Sequence, residues 1–174
     1  AWAWRHVAPN GEYVGQQCGL LVDRPYRGGT VWTGFGSLTS NHAEQYALLR
    51  GLSALPPRWS GNVCGDSLSV LRWFRAGVED HSTPVAWDDW QRRLLETLGA
   101  LRFCHVTGHP KASVVTAAPF LVHHVWCDVQ CNRMLASALR QLRERVGITH
   151  LSREEGSRRG KALRLVLARE AAGC

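Results

Sequence analysis

The stretch Ser40-Asn41-His42-Ala43-Glu44-Gln45-Tyr46-Ala47-Leu48-Leu49-Arg50-Gly51-Leu52 is where the chain changes period. Ala43, Tyr46, Ala47, Leu48, Leu52 and Leu55 recur at helical spacing, Ser40 or Asn41 offers an N-cap, and Pro56-Pro57 ends the run. The residues before it read as strands: residues 1–8 (AWAWRHVA), a turn at Asn10-Gly11, residues 17–23 (QCGLLVD) and residues 30–37 (TVWTGFGS). Three strands in a row predict an antiparallel meander. Beyond the helix, strands and helices alternate. A short strand over 62–65 (NVCG) leads to a helix over 66–76 and a polar loop over 77–84. A helix capped by Asp88 or Asp89 then runs through Leu98, before a strand over 101–106 (LRFCHV), a loop over 107–120 and a helix over 122–145. The order β-β-β-α-β-α-α-β-α implies parallel strands joined by crossovers in the second half and a mixed α/β sheet with helices on both faces. Ligands of such sheets bind at the carboxyl ends of parallel strands.

At 174 residues, 45% hydrophobic and mean hydropathy −0.20, the chain has the length and apolar content for one domain with a real core, which excludes a wholly disordered chain. No apolar run approaches the ~20 residues of a membrane span, and residues 1–4 are too short for a leader, so an intracellular, cytoplasmic protein is expected. Six cysteines at irregular spacing read as free thiols there. The net charge is +7, and it is lopsided: residues 133–174 carry ten Lys/Arg against four Asp/Glu, whereas residues 1–132 carry eleven against ten. Arg supplies 19 of the 21 cations, and its planar fork suits phosphate. A basic end beside a near-neutral body points to a polyanion, most simply nucleic acid; a solvated helix face explains the charge equally well. The division expected is a domain over 1–146 and a basic linker and helix over 147–174.

Three acids stand out. Glu44 falls in the first turn of the first helix, Asp66 at the end of the fourth strand, where Cys64-Gly65 allows a tight turn, and Asp128 near the start of the long helix. Taken singly, a Glu at a helix start is ordinarily a dipole-favoured surface residue and an Asp at a strand end a helix cap. Together, one at a strand's carboxyl end and two on helices able to face it, they suit hard divalent cations, and two such ions can clamp the oxygens of a phosphodiester. On the same long helix, His123, His124, Cys127 and Cys131 have partial zinc-ligand character, but four ligands on one helix cannot close a tetrahedron, and buried cysteine is the simpler reading. Trp73, Trp87 and Trp90 are expected to pack helices against the sheet rather than to stack bases.

These residues carry a resemblance. Ser40-Asn41-His42-Ala43-Glu44 running into Ala47-Leu48-Leu49-Arg50-Gly51-Leu52 resembles the second acidic motif of the type 1 ribonuclease H family. Val63-Cys64-Gly65-Asp66-Ser67 resembles the third, and Trp126-Cys127-Asp128 the fourth. Trp87-Asp88-Asp89-Trp90-Gln91-Arg92-Arg93-Leu94 is similar to the helix before the family's last strand, and Phe103-Cys104-His105-Val106-Thr107-Gly108-His109 to that strand and its Gly-His loop. The match covers residues 1–146 in order. It implies a ribonuclease H-like five-stranded mixed sheet flanked by helices, here with a basic C-terminal helical extension, and hydrolysis of the RNA strand of an RNA–DNA hybrid.

Carried over residue by residue, Glu44, Asp66 and Asp128 would be catalytic metal ligands. His109 would assist proton transfer, and Ser40, Asn41 and Ser67 would contact the substrate. Where the family has its first Asp, this chain has His6, which would then be both ligand and catalytic residue. A neutral imidazole offers one nitrogen and cannot bridge two ions, so the expected cofactor is Mg²⁺ or Mn²⁺, with Mn²⁺ the better match to His6. Residues 77–84 hold Glu79 and Asp80 where some family members carry a basic protrusion, and the tail from Arg153 to Arg169 is expected to substitute for it. The partner expected is an RNA–DNA hybrid or another nucleic acid duplex, bound by a monomer and away from any membrane. The alternatives are a catalytically silent nucleic-acid-binding module of the same fold, or a related nuclease acting on another duplex.

Overall fold

The computed structural model describes residues 1–23, 29–34, 36–77, 81–108, 115, 118 and 120–146. His109, Glu79, Asp80 and the basic segment 147–174 lie outside the described residues. The chain is mixed α/β. Its elements are β1 (Trp2–Val7), β2 (Tyr13–Val22), β3 (Gly29–Val31), α1 (Ser40–Ser53), β4 (Gly61–Gly65), α2 (Leu68–Ala76), α3 (Val85–Thr97), β5 (Leu101–His105) and α4 (Leu121–Val146). One compact unit spans Ala1–Leu135; of a second, Ala136–Cys174, the described part is the end of α4. Among the described residues, no helix is long and apolar enough to cross a membrane.

β1 and β2 form the expected hairpin, antiparallel from Trp2 opposite Gly19 to Val7 opposite Tyr13. Its turn holds Gly11 at φ 87°, a conformation glycine adopts without steric cost. The meander goes no further. β3 pairs with β2 in parallel, Leu20 with Gly29 and Val22 with Val31. β4 and β5 pair in parallel, Gly61 with Leu101 through Gly65 with His105, as the crossover pattern requires. The described strands thus fall into a sheet of three, ordered β1-β2-β3, and a sheet of two, β4-β5.

Alternation along β1 sets what each face meets. Trp2 is edge-on to Tyr46 of α1 at 5.2 Å, and a Cβ on Gly51 of α1 would stand 3.2 Å from Trp4, so the Trp2–Trp4–His6 face packs on α1. Arg5, on the other face, lies over Trp126 of α4 at 3.9 Å. Leu49, Leu52, Val63, Leu71 and Phe74 join Trp2 and Leu21 in one buried cluster with Trp32, Trp73 and Trp87, and Trp90 packs against it. The tryptophans are thus packing residues, as expected.

The helix starts differ from the expectations by a residue or more. Thr39, not Ser40 or Asn41, caps α1: its side chain accepts from the His42 N–H, and His42 Nδ1 accepts from the Thr39 N–H at 3.1 Å. α3 begins at Val85 behind Pro84, so Asp88 lies inside its first turn, buried, accepting from Trp73 Nε1 and Thr83 Oγ1. Proline's fixed φ and missing N–H suit the start of a helix, which moves the boundary upstream of the aspartates.

Candidate metal centre

Asp66 follows β4 directly, at the carboxyl end of the parallel pair. Ser67 then caps α2 by accepting from the Val70 N–H, so the strand end and helix start are separated by Asp66 and Ser67 alone. A hydrogen bond holds the Asp66 turn against β5, and the backbone after β5 passes close to its carboxylate. His105 Nε2 donates to the Asp66 carbonyl at 3.0 Å, and a Cβ on Gly108 would stand 2.7 Å from Asp66 Oδ2. Only glycine allows the carboxylate that close to the backbone.

α4 brings two further ligands. His124 and Asp128 stand one turn apart on the same helical face. His124 Nε2 lies 3.8 Å from Asp66 Oδ2 and 4.0 Å from Asp128 Oδ2, and the three groups offer ligand atoms all within 4.8 Å of one another. α4 is held in place by its neighbours. Arg5 stacks on Trp126, and His123 Nε2 donates to the Gly11 carbonyl at 3.1 Å while its Nδ1 faces Arg5 Nη1 at 3.4 Å.

Glu44 completes the acidic group from α1. Burial pushes its carboxyl up to about 7. The Asp66 carboxylate adds to the rise, a hydrogen bond from Ser67 opposes it, and Asp128 adds a smaller rise. Glu44 on α1 therefore feels the acids at the end of β4 and on α4. The Ser67 hydroxyl is also 3.2 Å from Asn41 Oδ1 and 2.9 Å from Ser69 Oγ. It has one proton, so it serves one acceptor at a time. Asn41 is exposed and lines a cavity of about 340 Å³ with residues of the first turns of α1 and α2; Ser40 is exposed beside it.

His6 is not part of this group. Its Nε2 donates to the Gly51 carbonyl near the end of α1 at 2.8 Å, and its ring lies 4.4 Å from that of Trp4. Burial lowers its pKa, against the pull of the Gly51 bond. The imidazole beside the acids is His124, which sequence reasoning weighed only with the cysteines. Its signal was there: His124 and Asp128 are four apart, a pair that helical spacing aligns. Burial pushes the Cys127 thiol up to about 12, so it is no nucleophile at neutral pH.

The donor set of carboxylate oxygens and one imidazole nitrogen fits a divalent cation. His124 Nε2 is buried and makes no hydrogen bond among the described residues, which is costly for a polar atom unless something binds it. Comparison of the chain with protein-family models, with curated proteins and with solved structures finds no match.

Proposed function

We propose that this chain is a metal-dependent endonuclease of the ribonuclease H type, hydrolysing the RNA strand of RNA–DNA hybrids. One observation carries the reading: Asp66 at the end of β4 and Asp128 of α4 offer carboxylate oxygens within 4.8 Å of each other and of the His124 imidazole, and Glu44 of α1, its carboxyl raised mainly by burial, also feels both acids. Like charges are gathered at such cost where a cation offsets them. The finer architecture proposed with it is a single five-stranded mixed sheet with β1 alongside β4. A core shared by Trp2, Leu21 and Val63 of the two smaller sheets supports it.

Asp66, Asp128 and Glu44 would hold Mg²⁺ or Mn²⁺, which when bound stabilises charge on phosphodiester oxygens and lowers the pKa of water. The residues themselves do the rest. Asn41 and Ser40, exposed at the start of α1, and Ser67 beside Asn41 offer hydrogen-bonding groups to a sugar-phosphate backbone, the recognition a hybrid duplex suits. The Arg-rich charge adds phosphate attraction.

A second reading, a silent nucleic-acid-binding module, is favoured by one observation: His6 stands where the resemblance expects an acid, and it bonds the Gly51 carbonyl. An end-labelled RNA–DNA hybrid incubated with Mg²⁺, and separately with Mn²⁺, decides between them. Cleavage of the RNA strand, reduced to background by Asp66→Asn, is expected. Hybrid binding without cleavage in either metal would establish the silent module.

A further inference from the structure

We propose that His124 is a ligand of the metal centre, so that Asp66, His124 and Asp128 form a mixed oxygen–nitrogen site selective for a divalent transition ion over Mg²⁺. This rests on the metal-centre reading but assigns it a residue outside the acidic motifs. The geometry is that of a triad waiting for a bridging atom. His124 Nε2 is 3.8 and 4.0 Å from the two carboxylate oxygens, too far for a hydrogen bond. Among the described residues nothing else serves this buried nitrogen, which has no hydrogen-bond partner there. Ion–ligand bonds of ~2.1 Å put two donors at a right angle about 3 Å apart, so His124 needs to draw nearer to each carboxylate by only about 1 Å.

The neighbours leave His124 this role. His123 points its ring away, to Gly11 and Arg5, so the two adjacent imidazoles divide the work between anchoring the helix and facing the acids. The ligand set then decides the ion. Mg²⁺ takes oxygen and keeps its waters, whereas imidazole favours transition ions, which bind a given site more tightly along the series from Mn²⁺ to Cu²⁺, with Zn²⁺ below Cu²⁺. An imidazole in place of a carboxylate also removes one negative charge, which weakens a hard ion most.

Mn²⁺ bound to the full-length chain is the probe, read by electron spin-echo modulation from directly bonded ¹⁴N and by binding titration. The expected result is ¹⁴N modulation that changes on ¹⁵N-histidine labelling, persists in His6→Gln and disappears in His124→Gln, with Mn²⁺ affinity at least about tenfold weaker in His124→Gln and Mg²⁺ affinity changed less. Labelling the unmutated chain keeps the test valid if His124→Gln fails to fold. Bound Mn²⁺ without ¹⁴N modulation, modulation lost in His6→Gln instead, or no Mn²⁺ binding overturns the proposal. Hybrid cleavage without ¹⁴N modulation would leave the nuclease standing and remove His124. Modulation lost in His124→Gln, in a chain that cleaves nothing, would keep His124 and remove the nuclease.

Discussion

At the scale of single residues, Glu44 carries the sharpest consequence. Its folded pKa of about 7 stands above the 4.5 of an ordinary glutamate. The folded state therefore holds this proton more tightly than the unfolded chain, and the stability it contributes is fully present below pH 4.5 and lost as pH rises through 7. In chelator the protein is expected to melt at a higher temperature at pH 5 than at pH 8 on account of this group. Glu44→Gln removes that part of the slope. At pH 8 the variant is expected to gain about 1 kcal/mol, once the half-exposed carboxyl is discounted for solvent screening, seen as a melting temperature raised by roughly 2–4 °C. An unchanged pH profile in Glu44→Gln would mean that neither burial nor the neighbouring acids raise this carboxyl.

At the scale of elements, α2 and α3 show how the helix after Asp66 is held. α2 ends on Gly77 in the left-handed conformation, φ 62°, whose N–H goes to the Phe74 carbonyl. The fully buried Gln91 of α3 then donates from Nε2 to the Trp73 carbonyl at 2.7 Å and reaches that of Phe74 at 3.4 Å. The amide thus serves the Trp73 carbonyl at the helix end and shares the Phe74 carbonyl with the Gly77 N–H. Gln91→Met keeps the volume and removes the donor. It is expected to cost about 1–3 kcal/mol, measured by urea unfolding with an unchanged m-value. A neutral outcome would mean that water replaces the amide. The same scale explains His6 and Arg5. Neighbours on a strand point to opposite faces, so a single step along β1 decides whether a side chain meets α1 or α4.

At the scale of the whole molecule, charge is the lever. The positive excess lies in residues 133–174, and residues 147–174 carry six Lys/Arg. If these cations meet phosphates, a chain ending at residue 146 binds an RNA–DNA hybrid more weakly than the full chain. Its log affinity then falls less steeply with log salt, by about 0.7–0.9 for each phosphate the shortened chain leaves unneutralised. Fluorescence anisotropy across a NaCl series reads both quantities. Equal slopes for the two chains would show that the tail touches no phosphate.

Local rules made much of this protein legible from its residues alone. The switch from strand to helical period at Ser40, the parallel crossover between β4 and β5, and the tryptophan core all follow from side-chain periodicity and turn chemistry, which act over a few residues. So does the placing of Asp66 at a strand's end and of Glu44 and Asp128 on helices. Pairing direction, cap choice and partner choice do not act at that range. Whether β3 pairs with or against β2 is a matter of tertiary pairing, and whether Asp88 caps a helix or lies buried within one depends on Pro84 and on Trp73 packed beside it. Which imidazole meets the acids was decided only in three dimensions. The alternation of β1 turns His6 toward Gly51, and one helical turn sets His124 beside Asp128 and opposite Asp66, a residue 58 positions away.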